Sequence, residues 1–254
     1  MSFPRDAMPA PVLSGAAATP GWVAAAPPIR IDALWRAWCI ALLFYLLAMV
    51  WLMGFDGDFV IADRLYALQG GAWRLREHWF TVDWVHQGGK RLSWAMWLGV
   101  AMFTLFTWRK PAWRTWRRPL LMLLASVLLA TSLVATIKHA VPMACPWNLQ
   151  RYGGSGPYVA LFEAWPVNLP RNACFPAAHA SSGFAWIALY FCLLQVRPAW
   201  RKAGLALALA MGGIFALSQE LRGAHFLSHD LTTIMLCWGV ALVVFTVRRG
   251  SQHA

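Results

Sequence analysis

Apolar runs about as long as a bilayer is thick recur along this chain, and they constrain its fold more than any other feature. A helix needs about 20 residues to cross the hydrocarbon core. Residues 34–53, 119–137, 177–196, 203–217 and 231–247 approach or reach that length, and a sixth run, 93–108, is shorter but flanked by tryptophans. With 59% hydrophobic and only 13% charged residues, the composition is not that of a soluble domain. The expectation is an all-α polytopic membrane protein, a six-transmembrane helix bundle.

The charges orient the bundle, because lysine and arginine accumulate in short cytoplasmic loops. With the N-terminus inside, the cytoplasmic segments hold 13 of the 22 basic residues and only Asp6 and Asp32 of the 10 acids, a net +11 against +1 for the outer segments. Both termini are therefore expected in the cytoplasm, and the membrane is expected to be a bacterial-type inner membrane with a periplasmic outer face. The overall charge of +12 does not point to nucleic acid, since the cations sit in short loops beside apolar spans and not along one basic face. Membrane lipids are the expected surroundings.

Residues 1–33 read as a disordered cytoplasmic tail and 34–250 as one membrane domain. The first apolar run is too long and too far along the chain to be a cleavable signal peptide, so it is expected to act as its own insertion signal. The outer segment 54–90 contains "LYALQGGAWRLREHWF", whose tryptophans and alternating charges suit short amphipathic helices at the interface. The outer segment 138–175 holds Pro142, Pro146, Pro157, Pro166 and Pro170, which exclude a regular helix or central strand. Cys39, Cys192 and Cys237 fall in spans and read as small packing residues. Cys145 and Cys174 share the 138–175 segment, where an oxidising periplasm permits a disulfide; free thiols are the alternative. A bridge there restricts the unfolded chain by about 3.6 kcal/mol and ties Lys138 to His179.

The remaining polar groups collect at span ends on the outer side. Lys138 and His139 close one span, His179 opens the next, and "SQELRGAHFLSHDL" (Ser218 to Leu231) joins the last two. If Ser218 to His229 is helical, Gln219, Arg222, His225 and His229 follow at intervals of three, three and four and share one face. Any one of these histidines alone is an ordinary interfacial residue, but a set of ionisable groups at membrane depth marks a functional site. Arginine and lysine suit a phosphate, one as a planar fork and the other as a point charge. One histidine can attack phosphorus while a second protonates the leaving oxygen. Three histidines can also ligate zinc, with His225 and His229 at i, i+4, although two neighbouring cations oppose a metal there. The expectation is a site without metal or cofactor.

In their order these clusters resemble the membrane-bound type 2 phosphatidic acid phosphatase (PAP2) superfamily, whose pattern runs Lys-x6-Arg-Pro, Pro-Ser-Gly-His, then Ser-Arg-x5-His-x3-Asp. The resemblance covers about 137–238 and departs from the pattern at several positions. In "KHAVPMACPW" the arginine due after Lys138 is replaced by Cys145, so Arg151 or Arg171 is a candidate substitute. In "PAAH" Ala177 and Ala178 replace serine and glycine, with Ser181 or Ser182 as possible hydroxyl donors. In the third motif Gln219 stands for the arginine and His229 for the aspartate, and an arginine reappears at Arg222.

The resemblance implies an active site at the periplasmic face in which His225 forms a phosphohistidine, His229 orients it and His179 serves as general acid. Lys138, Arg222 and Arg151 are the implied phosphate contacts, with Asp230 a lesser candidate for the orienting role. The implied activity is hydrolysis of a lipid phosphate or diphosphate. A lipid phosphotransferase using the same site, acting for example on lipid A, and a catalytically inactive membrane protein are the alternatives.

Overall fold

The computed structural model describes residues 30–247. The tail assigned to 1–29 and the last residues of the expected membrane domain, 248–250, lie outside the described residues. Among the described residues the chain is helical and has no strand. Helix α1 spans Ile31–Met49 and continues as a wide π turn over Val50–Gly54; α2 spans Gly57–Leu68. A π-helical stretch, Phe80–Gly88, runs into α3, Gly89–Arg109. Then come α4, Arg114–Ala140; α5, Ala178–Phe184; α6, Ala188–Val196; α7, Arg201–Leu221; and α8, Leu227–Val247. Residues 31–33, assigned to the tail from sequence, already belong to α1, where Asp32 occupies the first turn and complements the helix dipole.

Five helical stretches are long and apolar enough to cross a membrane: Ile31–Gly54, Pro111–Ala140, Ala178–Val196, Pro198–Leu221 and Leu227–Thr246. The sixth expected span corresponds to α3, which has the length but falls outside this set. Lys90, Arg91 and Arg109 charge its ends, and Ser93, Gly99, Thr104 and Thr107 interrupt its apolar middle. It packs against α4 through much of its length, and Trp186 donates from Nε1 to Ser93 Oγ at 3.0 Å, linking it to the break between α5 and α6.

The centre of the bundle is formed by α4, α5, α6, α7 and α8, with Leu123, Ala130, Trp186, Ala208 and Leu242 among its buried apolar residues. Leu43, Phe44, Leu47, Met102, Leu105 and Ile214 face outward and stay exposed, as they do when lipid replaces water as solvent. Because lipid tails are as apolar as leucine, helices associate in a bilayer chiefly by close packing at small residues. Here Gly183 of α5 lies against Gly212 of α7 so closely that a Cβ on either has no room: on Gly183 it would meet the Gly212 backbone, and on Gly212 the Phe184 ring. This contact fixes the end of α5 against the middle of α7.

The stretch Ser218 to His229 is not one helix. At the end of α7 the Ala224 N–H donates to the Gln219 carbonyl at 2.9 Å and the Gly223 N–H to the Glu220 carbonyl at 2.9 Å, the paired bonds of a Schellman cap. Gly223 takes φ of +71°, a left-handed conformation that a side chain resists, and the ring of Trp73 fills the space a Cβ would need. The chain therefore reverses within Arg222 to Phe226, and α8 begins at Leu227, four residues before the apolar run that sequence marks. Asp58 of α2 caps it, accepting from the Ser228 N–H at 3.0 Å and from the Ser228 hydroxyl.

Two adjacent glycines test the packing argument. Gly212→Ala is expected to lower the thermal midpoint in detergent, corresponding to a loss of about 1–3 kcal/mol, the cost of overpacking a close contact. Gly213→Ala, where a Cβ meets open space, is expected to leave it unchanged or raise it through better helix propensity. Equal effects would refute the close-contact account.

Candidate functional site

At the end of the bundle where α4 finishes, α5 starts and α7 turns into α8, side chains enclose a cavity of about 370 Å³. Its walls include Lys138 from α4, His179 from α5, and Gln219, Arg222 and His225 from the reversal after α7. Lys138, His179, Arg222 and His225, singled out by sequence in three separate segments, thus share one chamber. The basic segments around 109–118 and 197–202 lie at the opposite ends of these helices. The Gly223 reversal, and not a shared helical face, brings Arg222 and His225 together.

His225 and His229 meet at Nδ1···Nδ1 3.2 Å. His229 lies in the first turn of α8, fully buried, with the rings of Phe175 and Phe226 edge-on to it. It stands behind His225 and does not line the cavity. If His225 donates from Nδ1 to His229 Nδ1, its Nε2 keeps a free lone pair for chemistry. Burial first, then the His229 and Lys138 charges, hold the His225 pKa well below the ordinary histidine value, which keeps the ring neutral. The Ala177 N–H donates to the His229 carbonyl at 3.3 Å and the Thr233 hydroxyl to the Ala177 carbonyl at 3.2 Å, so the segment leading to His179 is fastened to the helix carrying His229.

Arg222 is buried and its guanidinium is only partly used by the protein. Nε donates to the Arg76 carbonyl at 2.8 Å and Nη1 to Gln219 Oε1 at 3.3 Å, which fixes the plane of the fork. The Gln219 side chain at the motif's arginine position thus serves as a rest for the arginine one turn on. The Arg76 guanidinium stacks over Trp147 at 4.5 Å, and the Trp147 N–H donates to the Gly223 carbonyl at 2.9 Å, so the 138–175 segment also holds the reversal in place.

Cys145 and Cys174 are disulfide-bonded, with their Cα atoms 5.3 Å apart, and both contribute to the cavity wall. The bridge closes the 138–175 segment over the chamber; the rest of that segment is irregular, with 3-10 turns only at Pro146–Asn148 and Gln150–Tyr152.

Five sequence candidates go elsewhere. Arg151 pairs in fork geometry with Asp63 of α2, Nε to Oδ1 at 2.8 Å, and covers the Phe59 ring. It ties the outer segment to α2 and does not replace the missing first-motif arginine. Asp230 is buried beside Glu220, away from the cavity, so it does not orient His225. Arg171 and the hydroxyls of Ser181 and Ser182 do not line the chamber either; Ser181 Oγ donates to the Ala178 carbonyl at 2.7 Å.

Two residues the sequence reading assigned to an interfacial segment do line it: His86 and Lys90. The signal available was their i, i+4 spacing in "HQGGK", just ahead of the sixth apolar run. No group of three or more His, Cys, Asp and Glu side chains is arranged to hold a metal among the described residues. No carboxylate lines the cavity, whose fixed charges are all positive. A chamber of that kind accepts a compact anion and offers it imidazoles.

A family model described as the PAP2 superfamily matches residues 119–252. No curated protein and no solved structure matches the chain.

If the chamber is an anion site, Lys138→Met and Arg222→Met are each expected to weaken orthovanadate binding by about 10- to 100-fold, the worth of one charge-assisted hydrogen bond. Arg151→Met is expected to leave it within about threefold, since that guanidinium is spent on Asp63. Titration calorimetry on the purified protein reads all three.

Proposed function

The chain belongs to the PAP2 superfamily, and on that premise we propose that it is a membrane phosphatase acting on a lipid phosphate or diphosphate at the periplasmic face. Members of this superfamily are generally phosphatases acting on phosphate esters. The observation that carries the reading is the convergence of Lys138, His179, Arg222 and His225 on one cavity at the end of an apolar bundle. The charge asymmetry supports an inner-membrane orientation with both termini in the cytoplasm, and α3 serves as the sixth span.

In this reading the lipid lies with its tail in the bilayer and its phosphate in the chamber. An apolar groove of about 200 Å³, lined by Trp94, Trp97, Val127 and Leu128 among others, adjoins the chamber and shares Lys90 and Ala178 with it. Trp94 and Leu128 are exposed on the outer surface, so the groove is open to lipid. His225 attacks phosphorus from Nε2 while Lys138 and Arg222 hold the equatorial oxygens, where charge gathers in the transition state. The bond to the leaving oxygen breaks and His179 supplies its proton. Water then attacks the phosphohistidine, giving its proton to His179 and releasing inorganic phosphate. His229 steadies the His225 ring through Nδ1. No metal enters this scheme.

Purified protein should release phosphate from lipid phosphates in detergent with no acceptor lipid present, with inhibition by vanadate and none by chelator. His225→Ala should reduce that release by at least about 10³-fold while leaving the elution profile unchanged. Release only when an acceptor lipid is present would favour the phosphotransferase, and abolition by chelator would overturn the metal-free scheme.

The pH dependence carries a sign. Because burial lowers the His225 pKa, the nucleophile stays neutral as pH falls through about 6.5, and it should impose no acid limb there. His229→Asp places a carboxylate against Nδ1, which favours the imidazolium and moves the acid limb to higher pH, while turnover on the alkaline side is retained or raised. A pH–rate profile unaltered by His229→Asp would exclude His229 from contact with the nucleophile.

A further inference from the structure

The proposed chemistry leaves two residues of the chamber without a role, and both lie ahead of the family-matched region, which begins at residue 119. His86 stands in the π-helical stretch before α3, and Lys90 follows about one turn later at the start of that helix. The His86 ring lies against the His179 ring, centroids 4.3 Å apart, and Phe215 covers His179 at 4.8 Å. His86 Nδ1 and both nitrogens of His179 are buried and make no hydrogen bond of ordinary geometry among the described residues, with the Val85 backbone the one such group that acts on the His179 ring. Buried polar atoms of that kind are costly unless a ligand or water meets them. Three such atoms in one stacked pair point to a polar group that the site is built to receive.

Lys90 has a distinctive position. It is shared by the chamber and by the apolar groove that adjoins it, so it stands where a headgroup gives way to a tail. A phosphoryl group under attack by His225 sits at the chamber wall that His225 forms, and a group that leaves past His179 toward the apolar groove passes His86, stacked on His179, and Lys90 at the groove's mouth.

We propose that Lys90 and His86 form the leaving-group half of this site, with Lys90 binding a second, tail-proximal phosphate, so that the preferred substrate is a lipid diphosphate. The inference rests on the phosphatase reading above. His225 attacks the terminal phosphorus from Nε2, the bond from that phosphorus to the bridging oxygen breaks as His179 gives that oxygen its proton, and a lipid monophosphate departs with its remaining charge against Lys90. Water then frees the terminal phosphate from His225 and gives its proton to His179. His86 positions His179 by stacking, keeping its ring turned toward the bridging oxygen. Burial, then the charges of Lys90, Arg222 and Lys138, hold the His86 pKa down at about 4, so it stacks as a neutral ring and adds no repulsion to the cations around it.

The test compares dodecyl diphosphate with dodecyl monophosphate, following phosphate release by wild type, Lys90→Met, Lys90→Arg and Lys138→Met. Lys90→Met is expected to lower the diphosphate-to-monophosphate ratio of kcat/KM by roughly 10- to 100-fold, the range of one charge-assisted contact. Lys90→Arg should keep the ratio within about threefold of wild type, because the charge remains. Lys138→Met should lower both activities and leave the ratio unchanged. A ratio unmoved by Lys90→Met, or lowered equally by Lys90→Arg, would overturn the proposal, since neither outcome follows from a charge facing the second phosphate. Wild-type protein that cleaves neither lipid would instead overturn the phosphatase reading.

Discussion

A cation in a membrane protein is tolerated only where water, a counter-charge or a hydrogen-bonding frame reaches it, and this constraint organises the whole molecule. Lys138, Arg222 and Lys90 are all placed at helix ends, where the bundle opens into a chamber, and none lies midway along an apolar run. Arg222, the most buried of them, is framed by the Arg76 carbonyl and Gln219. The apolar lengths of α4, α7 and α8 are therefore not only anchors. With α3 they bring these ends to one chamber and hold them there against the repulsion of three like charges.

Holding like charges together demands a rigid surround, and the surround is built from small residues and short polar ties. Gly183 against Gly212 fixes α5 to α7, Asp58 fixes α2 to the first turn of α8, and the Ala177 and Thr233 bonds fix the approach to His179 onto α8. The Cys145–Cys174 bridge closes the wall from above. Each tie joins segments distant in sequence, so the site is a product of the bundle and not of any one motif.

That distinction explains what was legible in the sequence. Helices α1, α4, α7 and α8 announce themselves because apolar runs that approach or reach about 20 residues have few other outcomes. Cys145 and Cys174 were legible as a pair because compartment and loop position both allowed a bridge. The geometry after α7 was not, because a spacing of three, three and four reads as a helical face whether or not the helix continues, and the cue that it stops, Gly223, is a single residue in "LRGAH". Arg151 was misplaced for a related reason: sequence counts the cations near a motif but does not show that Asp63, 88 residues away, has claimed one of them. His86 and Lys90 were hidden in a segment whose aromatic and charged composition matches an interfacial anchor, and only the packing of α3 against α4 and α5 turns that composition toward the chamber.

The substitution of His229 for an acidic residue then takes on a physical sense. On the proposed mechanism, a carboxylate behind His225 would strengthen it as a nucleophile but would also cancel part of the field of Lys90, Lys138 and Arg222 at close range. The acids of this region, Asp58 and Glu220, are instead held in a crevice on the far side of His225, off the chamber wall. A neutral imidazole steadies the His225 ring through one hydrogen bond and subtracts nothing from the positive potential. For a substrate of one negative charge the exchange brings little, but for one bearing two adjacent phosphates the undiminished field lowers the cost of gathering its charges in a confined space. On the proposed mechanism, this one departure from the family pattern trades a weaker push on His225 for an undiminished positive field around the anion it attacks.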